Sequence, residues 1–177
     1  WIFGHPLSFG FDAYSRTRLR SQNLGLGFEE EQQGGGLRFG KEVTDTFRTD
    51  TSYQVFRTKI SDVVPEASAD LKAEEGRSTV SVGGLTLTWD GRDNRFDPTA
   101  GGSAFASGDL AGGLLAGDKD FFRLQGGASY YIPHVDRFVL ETTARAGIVD
   151  AYGDSSEVPI FERFFAGGSN TIRGYRE

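Results

Sequence analysis

The sequence has no cysteine, no methionine, only two histidines and no surplus of positive charge. Without cysteine there are no disulfide staples, thiolate metal sites, redox pairs or thiol nucleophiles. The chain carries 25 Asp+Glu against 19 Lys+Arg, a net charge of −6. An acidic chain without a basic block lacks the face that displaces counterions from phosphates, so nucleic acid is not an expected partner. No stretch approaches the roughly 18 consecutive apolar residues of a transmembrane helix. That excludes a helical membrane protein and leaves one built from strands. Terminal signals are missing too: the chain opens on Trp1-Ile2-Phe3-Gly4-His5-Pro6, with neither an initiator Met nor a signal peptide, and stops in the polar run Ile172 to Glu177. The expectation is an excerpt from a longer protein.

What the sequence has in excess is glycine, 25 of 177 residues, about twice the usual frequency. No Gly-X-Y period or Gly/Ser linker accounts for it, which assigns the glycines to strands and turns. Period-2 alternation supplies the strands. Phe122, Leu124, Gly126, Ala128, Tyr130 and Ile132 alternate with Arg123, Gln125, Gly127, Ser129 and Tyr131. Phe138, Leu140, Thr142, Ala144, Ala146 and Ile148 alternate with Glu141, Thr143, Arg145 and Gly147. Each run spans about ten residues with one apolar and one polar face, and Pro133–Arg137 between them reads as a hairpin turn. Weaker alternation at Leu7–Tyr14, Gly34–Val43, Thr51–Ile60, Leu85–Asp90 and Ala104–Leu114 brings the expected strands to seven. Only the acidic, Ala-rich Pro65–Glu75 could hold a short helix, within a loop.

The connections alternate in length. Thr17–Glu31 and Ser61–Ser78 are long; Thr44–Asp50, Asn94–Gly102 and Pro133–Arg137 are short; Ala116–Asp120 is short on the long side. Long loops at one end and tight turns at the other are the layout of an outer-membrane barrel. A soluble β-sandwich or lipocalin-like barrel produces the same alternation. Two features favour the membrane: several runs reach the 9–11 residues needed to cross a bilayer, and a polar face carrying Asp90, Arg123, Gln125, Glu141 and Arg145 suits a wet lumen better than a dry core. The fold class read from the chain is therefore all-β, an antiparallel transmembrane β-barrel fragment.

Three segments carry a family resemblance. The run Val158-Pro159-Ile160-Phe161-Glu162-Arg163-Phe164-Phe165-Ala166-Gly167-Gly168-Ser169-Asn170-Thr171-Ile172-Arg173-Gly174-Tyr175 resembles the sixth extracellular loop of the bacterial surface antigen family, the BamA-type outer-membrane assembly factors. Their pattern is a P-x-x-E-R-F-x-x-G-G segment followed by (V/I)RG(F/Y). Thr86–Gly102, with Asp90, Arg92, Asp93, Asn94 and Pro98, resembles the family's D-x-R-D-N-x-x-x-P-T-x-G strand and turn, and Pro6–Tyr14 its P-L-S-x-G-F-x-x-Y strand. The resemblance implies that the seven strands are the fifth to eleventh of sixteen. Residues 1–177 would then be part of one barrel domain, ending inside the inward-folding sixth loop at about 151–177.

It implies a function as well: insertion and folding of outer-membrane proteins, by strand templating at a lateral seam. Expected partners are outer-membrane lipid, nascent outer-membrane proteins and the lipoproteins of an assembly complex; no cofactor, metal or catalytic residue is expected. In the loop motif Ile172, Arg173, Gly174 and Tyr175, the resemblance has the Arg pair with acidic groups of the inner wall. A guanidinium suits that role because it stays charged when partly desolvated and grips a carboxylate with two bonds. Glu162, Arg163, Phe164, Gly167 and Gly168 are candidates for positioning the loop. Asp90, Arg92, Asp93 and Asn94, before Pro98, read first as a polar Asx-capped turn, and their spacing lacks the downstream Gly and Glu of a calcium loop. His5 and His134 sit beside prolines in expected turns and nominate no catalytic pair. Glu141 and Arg145 could form a lumen ion pair. A two-partner secretion transporter, or more remotely a passive porin, shares the barrel class.

Overall fold

In the computed structural model, residues 6–20, 28–65, 67, 69–134 and 138–164 are described. Seven strands form one antiparallel sheet in chain order: β1 (Leu7–Arg20), β2 (Phe28–Thr44), β3 (Phe47–Ser61), β4 (Gly76–Asp90), β5 (Gly101–Ala111), β6 (Phe121–Pro133) and β7 (Val139–Ala151). A short helix α1 (Ala69–Ala73) lies in the β3–β4 connection, inside the segment expected to hold one. Every strand is at least as long as a bilayer crossing requires, from 11 residues in β5 to 17 in β2.

Three expectations need correction. Thr17–Glu31, expected as a long loop, is strand over 17–20 and 28–31, and the strand expected at Leu85–Asp90 begins already at Gly76. The fifth strand ends at Ala111 rather than Leu114, because Gly112 and Gly113 adopt φ of 73° and 54° and turn the chain into a 3-10 turn at Gly113–Leu115. The difference in loop length between the two ends is also weaker than expected: the turn at 91–100 is no shorter than the 112–120 connection opposite it.

The register explains the uneven alternation. Towards the end bearing the 45–46 turn, one face carries exposed apolar side chains: Leu7, Phe9 and Phe11 on β1, Leu37 and Phe39 on β2, Tyr53 and Val55 on β3, Leu85, Leu87 and Trp89 on β4. Phe9 and Phe39 are cross-strand partners with ring centroids 4.9 Å apart, and Phe11 is 70% exposed. A contiguous apolar surface of this extent calls for a lipid or protein covering. The opposite face at this level is polar, with Asp12, Arg38, Arg48, Asp50 and Thr88. Nearer the other end the pattern inverts. Phe28, Phe56, Ile60, Val80, Ala111 and Phe121 on that opposite face become buried, while Glu31, Arg57, Lys59 and Arg77 occupy the first face.

The buried residues form two adjoining clusters. One joins Phe28 and Ile60 of the sheet to Ala67, Leu71 and Ile160; the other contains Phe56, Val80, Ala111 and Phe121, and Phe161 packs against both. The core therefore lies under the loops of one end, on one face of the sheet.

Candidate functional site

The segment following β7 folds back onto the polar face. Asp120 anchors its start: one carboxylate oxygen accepts from the Gly113 amide at 2.7 Å and the other from the Asp154 amide at 3.2 Å, while its own amide donates to Ser155 Oγ at 2.8 Å. The Tyr152 hydroxyl donates to the Ala111 carbonyl at 2.8 Å. Val158, Pro159 and Ile160 are buried, and Pro159 precedes a 3-10 turn at Ile160–Glu162. The Ile160 amide donates to both carboxylate oxygens of Glu74, at 3.0 and 3.1 Å. Phe161 meets Phe56 edge to face, with centroids 6.2 Å apart. Apolar side chains therefore hold the turn down, while the β3–β4 loop satisfies one of its backbone donors.

Glu162 then reaches the sheet. Its carboxylate accepts from Arg123 Nη1 at 2.6 Å, and Arg123 also donates from Nε and Nη2 to Asp109 Oδ2 at 3.0 and 2.8 Å. Asp109 and Arg123 are cross-strand partners on β5 and β6. One planar guanidinium thus ties two strands of the wall to the returning loop, a geometry that a lysine point charge would not reproduce. Burial pushes the Glu162 carboxyl above its ordinary value, outweighing the pull of Arg123; the nearby Asp109 and Glu30 charges push the same way. Burial likewise raises Glu74, against the opposing hydrogen bond from the Ile160 amide. Glu30 is 2% exposed, and among the described residues its Oε2 has no hydrogen-bond partner.

The remaining positioning candidates divide. Arg163 turns back on its own loop, donating to the Val158 carbonyl at 2.8 Å and pairing with Glu157 at 2.9 Å. Phe164 lies against Gly147 of β7, where an added Cβ would come within 2.8 Å of its ring. Gly167, Gly168, Ile172, Arg173, Gly174 and Tyr175 lie outside the described residues.

At the opposite end the Asp90–Pro98 motif forms a turn bonded mostly within itself, with Arg95 reaching the Asp45 carbonyl at 3.5 Å and the Asp90 amide the Thr46 carbonyl at 2.8 Å. Asp90 receives Arg92 Nε and Nη2, both at 2.8 Å, and Arg95 at 3.3 Å. Asp93 Oδ1 accepts from the amides of Asn94, Thr99 and Ala100 at 2.9, 2.9 and 3.1 Å, and its Oδ2 accepts from the Thr99 hydroxyl. Asn94 Oδ1 accepts from the Phe96 and Asp97 amides. The Thr99 hydroxyl and the Ala100 and Thr99 amides hold the Asp93 carboxyl well below the usual range. Pro98 lies within this loop, directly before Thr99. Gly101 follows at φ 92°, where a Cβ would lie 2.3 Å from the Gly91 carbonyl. The bonds to Asn94 Oδ1 make this an Asx-capped turn. His134 closes the 134–138 turn through its amide, 2.8 Å from the Phe138 carbonyl, and His5 lies outside the described residues. Glu141 accepts from the Tyr131 hydroxyl at 2.9 Å and from Thr143; among the described residues no ion pair joins it to Arg145.

Reading the sequence missed three residues that hold the docked segment: Glu74, Asp109 and Arg123. Alternation places Arg123 on the polar face. Its pairing with Asp109 depends on the β5–β6 register, which alternation does not specify.

Comparison with known proteins completes the description. A model of the Omp85 superfamily domain matches residues 1–177. The outer membrane protein assembly factor BamA of Nitratidesulfovibrio vulgaris is 31% identical over 169 residues, covering 96% of this chain and 21% of its own length. BamA of Neisseria meningitidis serogroup B is 25% identical over 185 residues, covering 96% and 23%. A SAM50-like protein of Schizosaccharomyces pombe is 29% identical over 122 residues, covering 67% and 26%. Among solved structures, BamA of Haemophilus ducreyi lacking POTRA domains 1-3 superposes with a TM-score of 0.83 at 19% identity, over 99% of this chain and 36% of that one. The chain spans about a fifth of the length of the curated bacterial relatives.

Proposed function

Since the chain belongs to the Omp85 superfamily along its whole length, we propose that it is the middle of the barrel of an outer-membrane assembly factor, one that inserts and folds other outer-membrane proteins. The protein is an outer-membrane β-barrel fragment; its open apolar face is the lipid side and its loop-covered face the lumen side. In this reading the seven strands are the fifth to eleventh of sixteen, and the segment after β7 enters the sixth outside loop. The work is non-covalent: a weak seam elsewhere in the barrel opens, and its free edge pairs with the backbone of a client strand, satisfying N–H and C=O groups that lipid leaves bare. The strands here form the wall away from that seam, holding the loop that braces the lumen. Clients are nascent outer-membrane proteins, with lipoproteins as accessory partners.

The observation carrying the proposal is the docking of the P-x-x-E-R-F segment on the lumen wall through Glu162, Arg123 and Asp109, in a chain whose whole length matches this family. That segment leads into Ile172, Arg173, Gly174 and Tyr175, for which the proposed role is to fasten the loop deeper in the lumen. The test is made in the full-length protein. With the barrel itself at normal level, Arg173→Ala should lower the amount of folded outer-membrane proteins, and Glu162→Ala should lower it less. Unchanged levels of folded clients in both variants would overturn the reading, as would passive ion conductance by the pure barrel in place of client folding.

A further inference from the structure

The inversion of polarity along the strands leaves a cationic cleft on the lipid side, at the end that bears the returning loop. Arg57, Lys59 and Arg77 line it together with Glu31 and Gln33, around a volume of about 220 Å³. Lys59 and Arg77 are direct cross-strand partners, and Arg57 stands two residues along β3 from Lys59 on the same face. Like charges placed opposite one another destabilise a sheet unless something neutralises them. Glu31 is the cross-strand partner of Lys59, yet its carboxylate takes a hydrogen bond from Gln33 at 2.9 Å. Among the described residues, none of the three cations has an ion pair.

Height identifies what could neutralise them. On the same face of β3 the outward residues run Phe47, Thr49, Thr51, Tyr53 and Val55, followed directly by Arg57 and Lys59. Eight residues at a rise of about 3.3 Å and a tilt of about 40° give roughly 20 Å of height, close to the ~25 Å apolar band of such barrels. Arg57 therefore begins where the hydrocarbon ends, at the level of lipid headgroups. We propose that Arg57, Lys59 and Arg77 form a binding site for the phosphate groups of an outer-leaflet lipid headgroup. The inference rests on the membrane placement given above and not on client assembly. Two arginines supply forked donors suited to phosphate oxygens, and the lysine a point charge between them; Glu31 opposes the ligand and limits its affinity.

The test uses full-length protein in neutral detergent, titrated with diphosphorylated lipid A and read by native mass spectrometry. Combined Arg57→Gln, Lys59→Gln and Arg77→Gln should weaken binding roughly 100-fold, at about five-fold per cation. Glu31→Gln should tighten it several-fold, an arm that a misfolded variant could not mimic. Lys41→Gln, at the other end of the same face, should leave it unchanged. Inorganic phosphate at the same concentrations should not compete, which separates a headgroup site from a free-phosphate site. Wild-type affinity in the triple variant, equal loss in Lys41→Gln, or full competition by inorganic phosphate would each overturn the proposal. Loss of client folding with lipid binding intact would count against the assembly function and leave this site standing.

Discussion

The two ends of the sheet carry the same kinds of side chain and use them differently. At the loop-bearing end, charged groups are partly buried and join segments far apart in the chain: Arg123 links β5, β6 and the returning loop, and Glu74 caps a turn 86 residues away. At the opposite end, Asp93 and Asn94 sit in the open and, among the described residues, bond only within their own turn, over separations of up to seven residues. The first arrangement fixes tertiary structure at the cost of desolvating carboxylates; the second fixes a hairpin with water-exposed hydrogen bonds. The loop-bearing end should therefore respond strongly and over a distance to loss of one side chain, the turn end weakly and locally.

The largest effect is expected from Arg123→Ala. It leaves Asp109 and Glu162, both partly buried, facing one another without a cation, which is worse than losing the attraction alone. We expect residues 152–164 to lose about 2–3 kcal/mol of protection, or roughly 30- to 150-fold faster amide exchange, while the 91–100 turn is unaffected. Hydrogen–deuterium exchange by mass spectrometry on the full-length barrel measures both ends at once. Equal change at both would remove the distinction between them.

Acid should split the two ends in opposite directions. Glu162 has a folded value raised by burial above its ordinary 4.5, so its contribution is complete below that ordinary value and is lost as pH rises through the folded one. Asp93 is depressed below its ordinary 3.8 by the hydrogen bonds it accepts; its contribution is present above 3.8 and is lost as pH falls through the folded value. Between pH 7 and 4, intrinsic-rate-corrected exchange should slow in 158–162, whereas in 93–100 it should hold and then rise only at lower pH. Glu162→Gln should reduce the first response, leaving the part that Glu74, also raised by burial and bonded to the Ile160 amide, contributes, and should leave the second unchanged. A loop that loosens in step with the turn on acidification would contradict this assignment.

The difference between the ends also decides what could be read from the chain. At the turn end everything needed is local: Asp93, Asn94, Pro98 and Thr99 fall within a few residues, and their Asx pattern is visible in the string. The lipid-facing alternation of β6 and β7 is equally legible, because one face is apolar along nearly the whole strand. On β3 the inward set changes from Asp50, Ser52 and Gln54 to Phe56, Thr58 and Ile60, while the outward set changes from Tyr53 and Val55 to Arg57 and Lys59. Two opposite alternations joined end to end cancel in a single window, so Thr51–Ile60 reads only as β-branched and aromatic. Glu74 escaped for another reason. Its partner is a backbone amide 86 residues later, and nothing in the acidic stretch around it distinguishes it from Glu75.

The smallest effect tests whether even the half-exposed edge of the docked loop belongs to the loop-bearing end. Phe164 is 49% exposed and meets the sheet at Gly147. Gly147→Ala brings a methyl within 2.8 Å of the ring edge, but the ring can swing towards solvent, so the cost should stay below the ~1–3 kcal/mol of an overpacked core. Alanine also restricts the unfolded chain by about 0.4–1 kcal/mol relative to glycine, which offsets most of that cost in the global balance. The midpoint of thermal unfolding should therefore barely move, while exchange next to Phe164 rises a few-fold. Gly126→Ala is the matched control: it lies on the lipid side of β6, where the added methyl would approach nothing closer than the Phe105 carbonyl at 3.5 Å. With no such cost to offset, it should show the small gain from the restricted unfolded chain and leave the loop untouched. If the two variants behave alike at residues 160–164, Phe164 is not held by the wall, and docking ends at Glu162.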